Sequence, residues 1–267
     1  MKTIGEILKS NPLFTPLSTA QKTCAKHGIE YTETVYPRFT KGCPECAKEC
    51  DEERKAAEQA EREAAQQRFL QQQLEKRVGK SRIPLRFQNK TIREYRVDNA
   101  QQAAVVESVK AYAREFAGKH SGRSLALLGN AGTGKTHLAC AVGNHVIKNC
   151  GGMARFLSVS ELNRLVRQAK SFDSEISESE VIAALSKYDL LIIDEVGVQS
   201  GTEAESRALF DVFNERYQNM KPTIFISNLG AADFVAAVGD RIVDRIKEDG
   251  GEVLFFNWQS ERGRDAA

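Results

Sequence analysis

Eight residues, Gly129 to Thr136 (GNAGTGKT), carry the most specific chemistry in the chain. They fit Gly-x-x-x-x-Gly-Lys-Thr and lie between the apolar run Leu125-Ala126-Leu127-Leu128 and a helix-like stretch, His137 to Lys148, the strand, loop, helix context that such a loop needs. Gly129, Gly132 and Gly134 allow the chain through Asn130, Ala131 and Thr133 to fold back. Backbone N–H groups then point at phosphate oxygens, and the following helix adds the positive end of its dipole. Lys135 is placed to put a full charge on the β- and γ-phosphates of a nucleoside triphosphate, and Thr136 to offer a hydroxyl to Mg²⁺.

A partner for this loop lies further on, in Tyr188 to Glu195 (YDLLIIDE), an apolar run ending in two carboxylates. Parallel sheets present functional groups at the C-terminal ends of their strands, the edge that also bears a phosphate loop. Asp194 is therefore the candidate Mg²⁺ ligand, and Glu195 the group to orient or deprotonate an attacking water, which favours hydrolysis over transfer to a small molecule. A third apolar run, Thr223 to Ser227, is followed by Asn228. Asn228 either touches the γ-phosphate or its water, or opens a turn before Leu229-Gly230. Arg241 and Arg245 in GDRIVDRIKE share one helix face. They pair with Asp240, Asp244 and Glu248, or one of them reaches the nucleotide of a neighbouring subunit, an effect worth about 10³ or more in rate.

A separate chemistry is encoded near the N-terminus. Cys24-Ala-Lys-His27 and Cys43-Pro-Glu-Cys46 are two Cys-x-x-(Cys/His) pairs separated by fifteen residues. Each tight turn delivers two ligands, and the two turns together match a tetrahedral Zn²⁺ site. Cys50 is a substitute ligand should His27 prove free. The competing readings are a redox pair, disfavoured without a thioredoxin-like context, and unrelated thiols.

The elements that must position these groups follow from periodicity. Strands are expected at Leu125–Leu128, Arg155–Val159, Leu190–Asp194, Thr223–Ser227 and Val253–Phe256. Helices are expected at Gln101–Phe116, Lys135–Lys148, Ser160–Lys170, Ser179–Ser186, Glu203–Asn219 and Arg241–Glu248. Repeated βα units imply an α/β fold with a parallel five-stranded sheet covered on both faces. Upstream, a short helix over Ile4 to Lys9 precedes the Cys/His pairs. Asp51 to Val78 lacks Gly and Pro and predicts one long helix. That helix is either a solvated spacer or a partner-binding element using Phe69, Leu70, Leu74 and Val78. Gly79 to Pro84 is expected to hinge, and Pro84 to Val97 to be a structured lead-in with buried aromatics.

Composition sets bounds. The 267 residues, 41% hydrophobic, suffice for one α/β domain and a smaller module. Thirty-eight basic against 36 acidic residues give no global case for nucleic-acid binding, so any such contact must be local. Six cysteines without a signal-peptide core point away from structural disulfides, and no apolar run nears the roughly 18 residues of a membrane span. A cytoplasmic location is expected.

GNAGTGKTHLACAV, YDLLIIDEVGVQ, the ISN ending at Asn228, GDRIVDRI and the closing FFNWQSER together resemble AAA+ ATPases of the DnaC/IstB group, more closely the DnaC-type replicative helicase loaders of the phage or prophage sort. The resemblance covers about residues 80 to 264. It implies an AAA+ P-loop domain whose Asn228 strand lies between the phosphate-loop and Asp194 strands. It implies Arg245 as a trans-acting arginine finger, with Arg241 as a second candidate beside it, and Arg262 as a further arginine on the nucleotide. It also implies ATP binding, single-stranded DNA binding and an N-terminal module that grips a DnaB-type hexameric helicase. Residues 1–50 then form a zinc-binding, helicase-interacting module, 51–82 a helical linker and 83–267 the ATPase domain.

Only about ten residues follow the last expected strand, too few for a helical lid. Self-association is expected to complete the pocket, with weak turnover in the monomer. Arg164, Arg167, Lys170 and Phe172 fall where the resemblance places DNA contacts, although surface charge accounts for them equally well. The alternative within the group is an IstB-like transposition helper acting on duplex DNA. The Cys/His pairs of this chain, which the simplest members of the group lack, argue mildly against that alternative. A non-enzymatic zinc adaptor with a structural nucleotide would need neither the acidic pair nor the arginines.

Overall fold

The computed structural model describes residues 12–118, 120–171, 175–198 and 203–261. It divides into two compact units, Met1–Gln71 and Gln72–Ala267. The expected helix over Ile4 to Lys9, and Phe172 and Arg262, lie outside the described residues.

In the first unit, β1 (Ser18–Thr23), β2 (Glu30–Val35) and β3 (Thr40–Lys41) form an antiparallel sheet in the order β1-β2-β3, with Ser18 opposite Val35 and Thr23 opposite Glu30. These strands have no counterpart among the expected elements. STAQKT is exposed along its whole length, so it carries none of the apolar alternation that marks a half-buried strand. The long helix α1 (Pro44–Ser81) begins at Pro44 rather than Asp51. Proline suits a first helical position, where the missing N–H has no intrahelical partner to lose. Phe69 and Leu70 lie exposed on it.

In the second unit the chain continues through α2 (Ala100–Glu115), β4 (Leu125–Gly129), α3 (Lys135–Lys148), β5 (Ala154–Ser158), α4 (Val159–Ala169) and α5 (Glu178–Ser186). It ends with β6 (Leu190–Asp194), α6 (Glu203–Gln218), β7 (Thr223–Ile226), α7 (Ala231–Val238), α8 (Asp240–Glu248) and β8 (Glu252–Phe256). All pairings in its sheet are parallel, in the order β5-β6-β7-β4-β8. The five expected strands and the expected position of β7 between β4 and β6 are therefore found. Helix α7, short and rich in alanine, is an addition to the expected set.

Strand alternation sorts the core into two layers. Leu125, Leu127, Leu190, Ile192, Ile224 and Ile226 face α2 and α3, whereas Ala126, Leu128, Leu191, Ile193 and Phe225 face α4, α6, α7 and α8. The expected hinge at Gly79–Pro84 is not a hinge. Gly79 to Ser81 belong to α1, the helix stops at Arg82 in the left-handed region (φ 53°), and Ser81 and Ile83 are 0% and 2% exposed. Of the lead-in aromatics, Phe87 and Tyr95 are half-buried against the same core.

Arg216 of α6 is fully buried. Its guanidinium donates to the carbonyls of Leu185 (2.8 Å), Tyr188 (2.9 Å) and Pro222 (2.6 Å) and to Thr223 Oγ1 (3.1 Å). It thus ties together the N-terminal ends of β6 and β7, and burial draws its pKa down to about 9. Removing the guanidinium would strand several buried acceptors at once, which costs about 3 kcal/mol or more. Arg216→Ala is predicted to lower unfolding stability by that amount in urea titrations followed by the fluorescence of the single tryptophan, Trp258.

Candidate nucleotide site and metal cluster

The phosphate loop is the turn from β4 into α3. Gly129 (φ 118°), Gly132 (φ 78°) and Gly134 (φ 91°) all adopt the left-handed region that an L side chain resists. Space also requires glycine at two of them. A methyl on Gly129 would sit 2.7 Å from the Phe256 carbonyl oxygen, and one on Gly134 would collide with the ring of Tyr95. Lys135 is 4% exposed, and its Nζ donates to the carbonyls of Gly129 (2.8 Å) and Asn130 (2.6 Å). The amine is thereby held across the loop.

Asp194 ends β6, and Thr136 Oγ1 donates to its Oδ2 at 3.0 Å, so the hydroxyl and carboxylate expected to hold Mg²⁺ face each other. Burial raises the Asp194 pKa, the response of a carboxylate placed where a cation would compensate it. Glu195 is exposed, in the left-handed region at φ 61°. Its N–H donates to Asp194 Oδ1 (2.7 Å), and the next N–H, of Val196, reaches the Ile226 carbonyl (3.0 Å). A non-glycine residue in that conformation stores strain that the surrounding bonds must hold. Leu127 of β4 pairs with Ile226 of β7, and Gly129 and Asn228 each follow two residues later on the same sheet edge. Asn228 is exposed there. Its neighbour Ser227 donates from Oγ to the Val196 carbonyl (2.5 Å), fastening the β7 end to the β6 end.

No spacing in the sequence marks what grips the loop from outside. The Tyr95 hydroxyl (2.7 Å) and Trp258 Nε1 (3.3 Å) both donate to the Thr133 carbonyl. Asn130 Nδ2 donates to the Trp258 carbonyl (3.1 Å), and the Glu261 N–H to the Gly132 carbonyl (2.9 Å). Trp258 lies in the FNW stretch and Tyr95 among the lead-in aromatics, but motif and pattern give neither a role.

Arg241 and Arg245 lie on α8. Arg245 sits over the rings of Phe210 (4.9 Å) and Tyr217 (5.3 Å), and Arg241 lies 6.0 Å from the Phe210 ring. Among the described residues neither forms an ion pair, so the expected pairing with Asp240, Asp244 and Glu248 does not occur; Glu248 instead accepts from Tyr217 (2.8 Å). Of the basic residues near α4, Arg164 and Arg167 are exposed and Lys170 pairs with Glu178 at 3.0 Å.

In the first unit, the ligand atoms of Cys24, His27, Cys43 and Cys46 lie within 4.8 Å of one another. Cys24 Sγ is 3.6 Å from Cys46 Sγ, and His27 Nδ1 is 3.5, 3.8 and 3.4 Å from the sulfurs of Cys24, Cys43 and Cys46. Tetrahedral bonds of about 2.3 Å to sulfur give S···S edges of ~3.8 Å, so the donor set fits one metal ion. The far nitrogen of His27 meets Glu49 at 3.0 Å, which fixes the ring. Cys24 and Cys43 are the only buried residues described in this unit. With no other buried residue among those described to hold the sheet, a metal is the stabilising element the donor set calls for. Cys50 is exposed and outside the cluster.

A family model described as IstB-like ATP binding protein matches residues 56–260. The chain belongs to this family. The IstB-like family's defining property, ATP binding, agrees with the loop geometry and with the resemblance read from the motifs. Among similar proteins, the replicative helicase loader DnaC of Buchnera aphidicola subsp. Schizaphis graminum is 31% identical over 185 residues, 69% of this chain and 74% of that one. DnaC of Escherichia coli K12 is 28% identical over 191 residues, 72% and 76% of the two chains. A crystal structure of the DnaC helicase loader superposes with a TM-score of 0.58 at 21% identity, covering 64% of this chain and 99% of that chain. Among the described residues no helix is long and apolar enough to cross a membrane.

Losing one hydrogen bond to the loop's backbone is worth about 1 kcal/mol. Tyr95→Phe is predicted to weaken ATP binding by up to about fivefold in calorimetric titrations and to lower unfolding stability by no more than about 1 kcal/mol, since Trp258 still donates to the same carbonyl.

Proposed function

We propose that this IstB-like protein is an ATP-switched loader that delivers a DnaB-type hexameric replicative helicase onto single-stranded DNA, with hydrolysis serving release. One observation carries the reading. The phosphate loop and acidic pair, held in working arrangement, sit in a chain 31% identical to a replicative helicase loader over most of both sequences.

The proposed division of labour is supported by the geometry where residues are described and by the resemblance where they are not. Gly129 to Gly134 and Lys135 cradle the phosphates, and Arg262 adds a contact from the C-terminal side. Mg²⁺, held by Thr136 and Asp194, supplies charge neutralisation at the β- and γ-phosphates. Glu195 orients and deprotonates the water, assisted by Asn228. Arg245 and Arg241 rest on aromatic rings rather than carboxylates, which leaves their N–H donors available to the nucleotide of a second copy. Arg164 and Arg167, with Phe172, supply basic and stacking contacts for a single strand. Zn²⁺ at Cys24, His27, Cys43 and Cys46 would hold the sheet of β1 to β3 together, and residues 1–50 take the helicase.

The expected result is co-sedimentation of the full chain with a hexameric replicative helicase in a non-hydrolysable ATP analogue and release in ADP. Glu195→Gln should retain ATP and the helicase while losing turnover by about 10² or more. Failure to form a complex in either nucleotide would overturn the loader reading, and preference for duplex over single-stranded DNA would favour the transposition helper. Atomic emission is predicted to find one zinc per chain, absent in Cys43→Ser together with helicase binding.

A further inference from the structure

A cavity of about 640 Å³ lies between the lead-in at Asn89 to Arg93, the C-terminal half of α2 and the C-terminal half of α3. Its wall carries five full cations, Lys90, Arg93, Lys110, Arg114 and Lys148, and no carboxylate. The whole chain sets 38 basic residues against 36 acidic ones, so five to none is a local concentration. Lys110 pairs with Glu107 at 2.7 Å. Lys148 donates to the Gln88 carbonyl (2.9 Å) and Asn89 Oδ1 (3.0 Å). Among the described residues no carboxylate forms an ion pair with Lys90, Arg93, Arg114 or Lys148.

Like charges gathered in one concavity repel one another and focus a positive potential outward. The fold nevertheless fixes them there. Asn144, 6% exposed, donates to the carbonyls of Phe87 and Lys90, both at 2.8 Å, and so pins the lead-in as one wall. The floor is apolar, with Ile92, Ala113 and Ala141, and beside it Nε2 of His145 is buried without a hydrogen-bond partner. A cationic rim over an apolar floor, in a volume typical of small-ligand sites, suits a phosphate joined to a sugar or base.

We propose that this cavity is a second anion site that takes the phosphate of a nucleotide unit, either a free nucleotide or one residue of a single strand. It is distinct from the phosphate loop. Lys135 and His145 stand on the same helix about 15 Å apart, at 1.5 Å of rise per residue. The inference does not rest on helicase loading, and fails or stands without it.

The test uses the full chain carrying Lys135→Ala, which silences the phosphate loop. It is titrated at low salt with a fluorescein-labelled oligothymidylate by anisotropy and with radiolabelled thymidine triphosphate by equilibrium dialysis. Arg93 and Arg114 are exposed, and among the described residues neither side chain makes a hydrogen bond or ion pair, so changing them is expected to leave the fold intact. Added to that background, Arg93→Glu with Arg114→Glu is expected to weaken binding by about tenfold or more. For the oligonucleotide the log–log salt slope should fall by about 0.7 for each phosphate that is no longer neutralised. The neutral pair Arg93→Gln with Arg114→Gln should fall between, with an unchanged Trp258 unfolding midpoint. Loss confined to the oligonucleotide identifies a strand site, and loss confined to the triphosphate a free-nucleotide site. Equal affinity of parent and reversed variant for both ligands, or no binding of either by the parent, would overturn the proposal.

Discussion

The nucleotide site depends on one constraint: the backbone of the phosphate loop must be held in one conformation by hydrogen bonds from residues outside it. Left alone, a loop with three residues in the left-handed region would sample many conformations, because glycine loses more backbone freedom on ordering than any other residue. Here the Thr133 carbonyl receives two donors, from Tyr95 and Trp258, and the Gly132 carbonyl receives the Glu261 N–H. The Asn130 N–H is spent on the Phe256 carbonyl at 3.0 Å. Each bond is worth about 1 kcal/mol, and together they offset ordering costs of the same size for each fixed residue.

That grip transmits packing to chemistry. Trp258 can donate only because it is 8% exposed and tilted against Phe256, with ring centroids 4.8 Å apart, and Phe256 is itself fully buried beside Leu138 in the layer under α2 and α3. Tyr95 is fixed from the other side by that core and by His137, whose Nε2 donates to the Thr91 carbonyl at 3.0 Å. The two edges of the sheet are built on opposite plans. At the C-terminal edge, strain and exposed charge are tolerated, as at Glu195. At the N-terminal edge, the buried guanidinium of Arg216 saturates the carbonyls, so β6 and β7 cannot slide relative to each other.

The sheet is legible because buried parallel strands read as short apolar runs, and LALL, LLIID and TIFI are of that kind. The phosphate loop, acidic pair and Cys/His pairs are legible because their spacing is itself the chemistry. Strands β1 and β2 are not, since STAQKT and EYTETV bury almost nothing and are held by backbone bonds and the four-ligand cluster. The start of α1 is misplaced by pattern alone because Pro44 reads as a breaker unless it is taken as a first-turn residue. Residues that act across the fold have no local signal at all. Tyr95 and Trp258 lie 38 and 125 positions from the carbonyl they hold, and the cations of the basic cavity come from three separate elements.

On the proposed reading, helix α8 keeps an arginine ready without using it up. Its Ile242, Val243 and Ile246 are buried and anchor it beside α6 and α7, which fixes where Arg241 and Arg245 emerge. An ion pair with Asp244 or Glu248 would occupy the guanidinium donors and would have to be broken before an anion could be engaged. Stacking on Phe210 and Tyr217 leaves those donors unspent, at an attraction of only about 0.5–2 kcal/mol. Nη1 of Arg245 is buried with no partner, a state that penalises staying put. A phosphate oxygen offered by a second copy would therefore find one guanidinium weakly held by aromatic faces and another, on exposed Arg241, already facing outward.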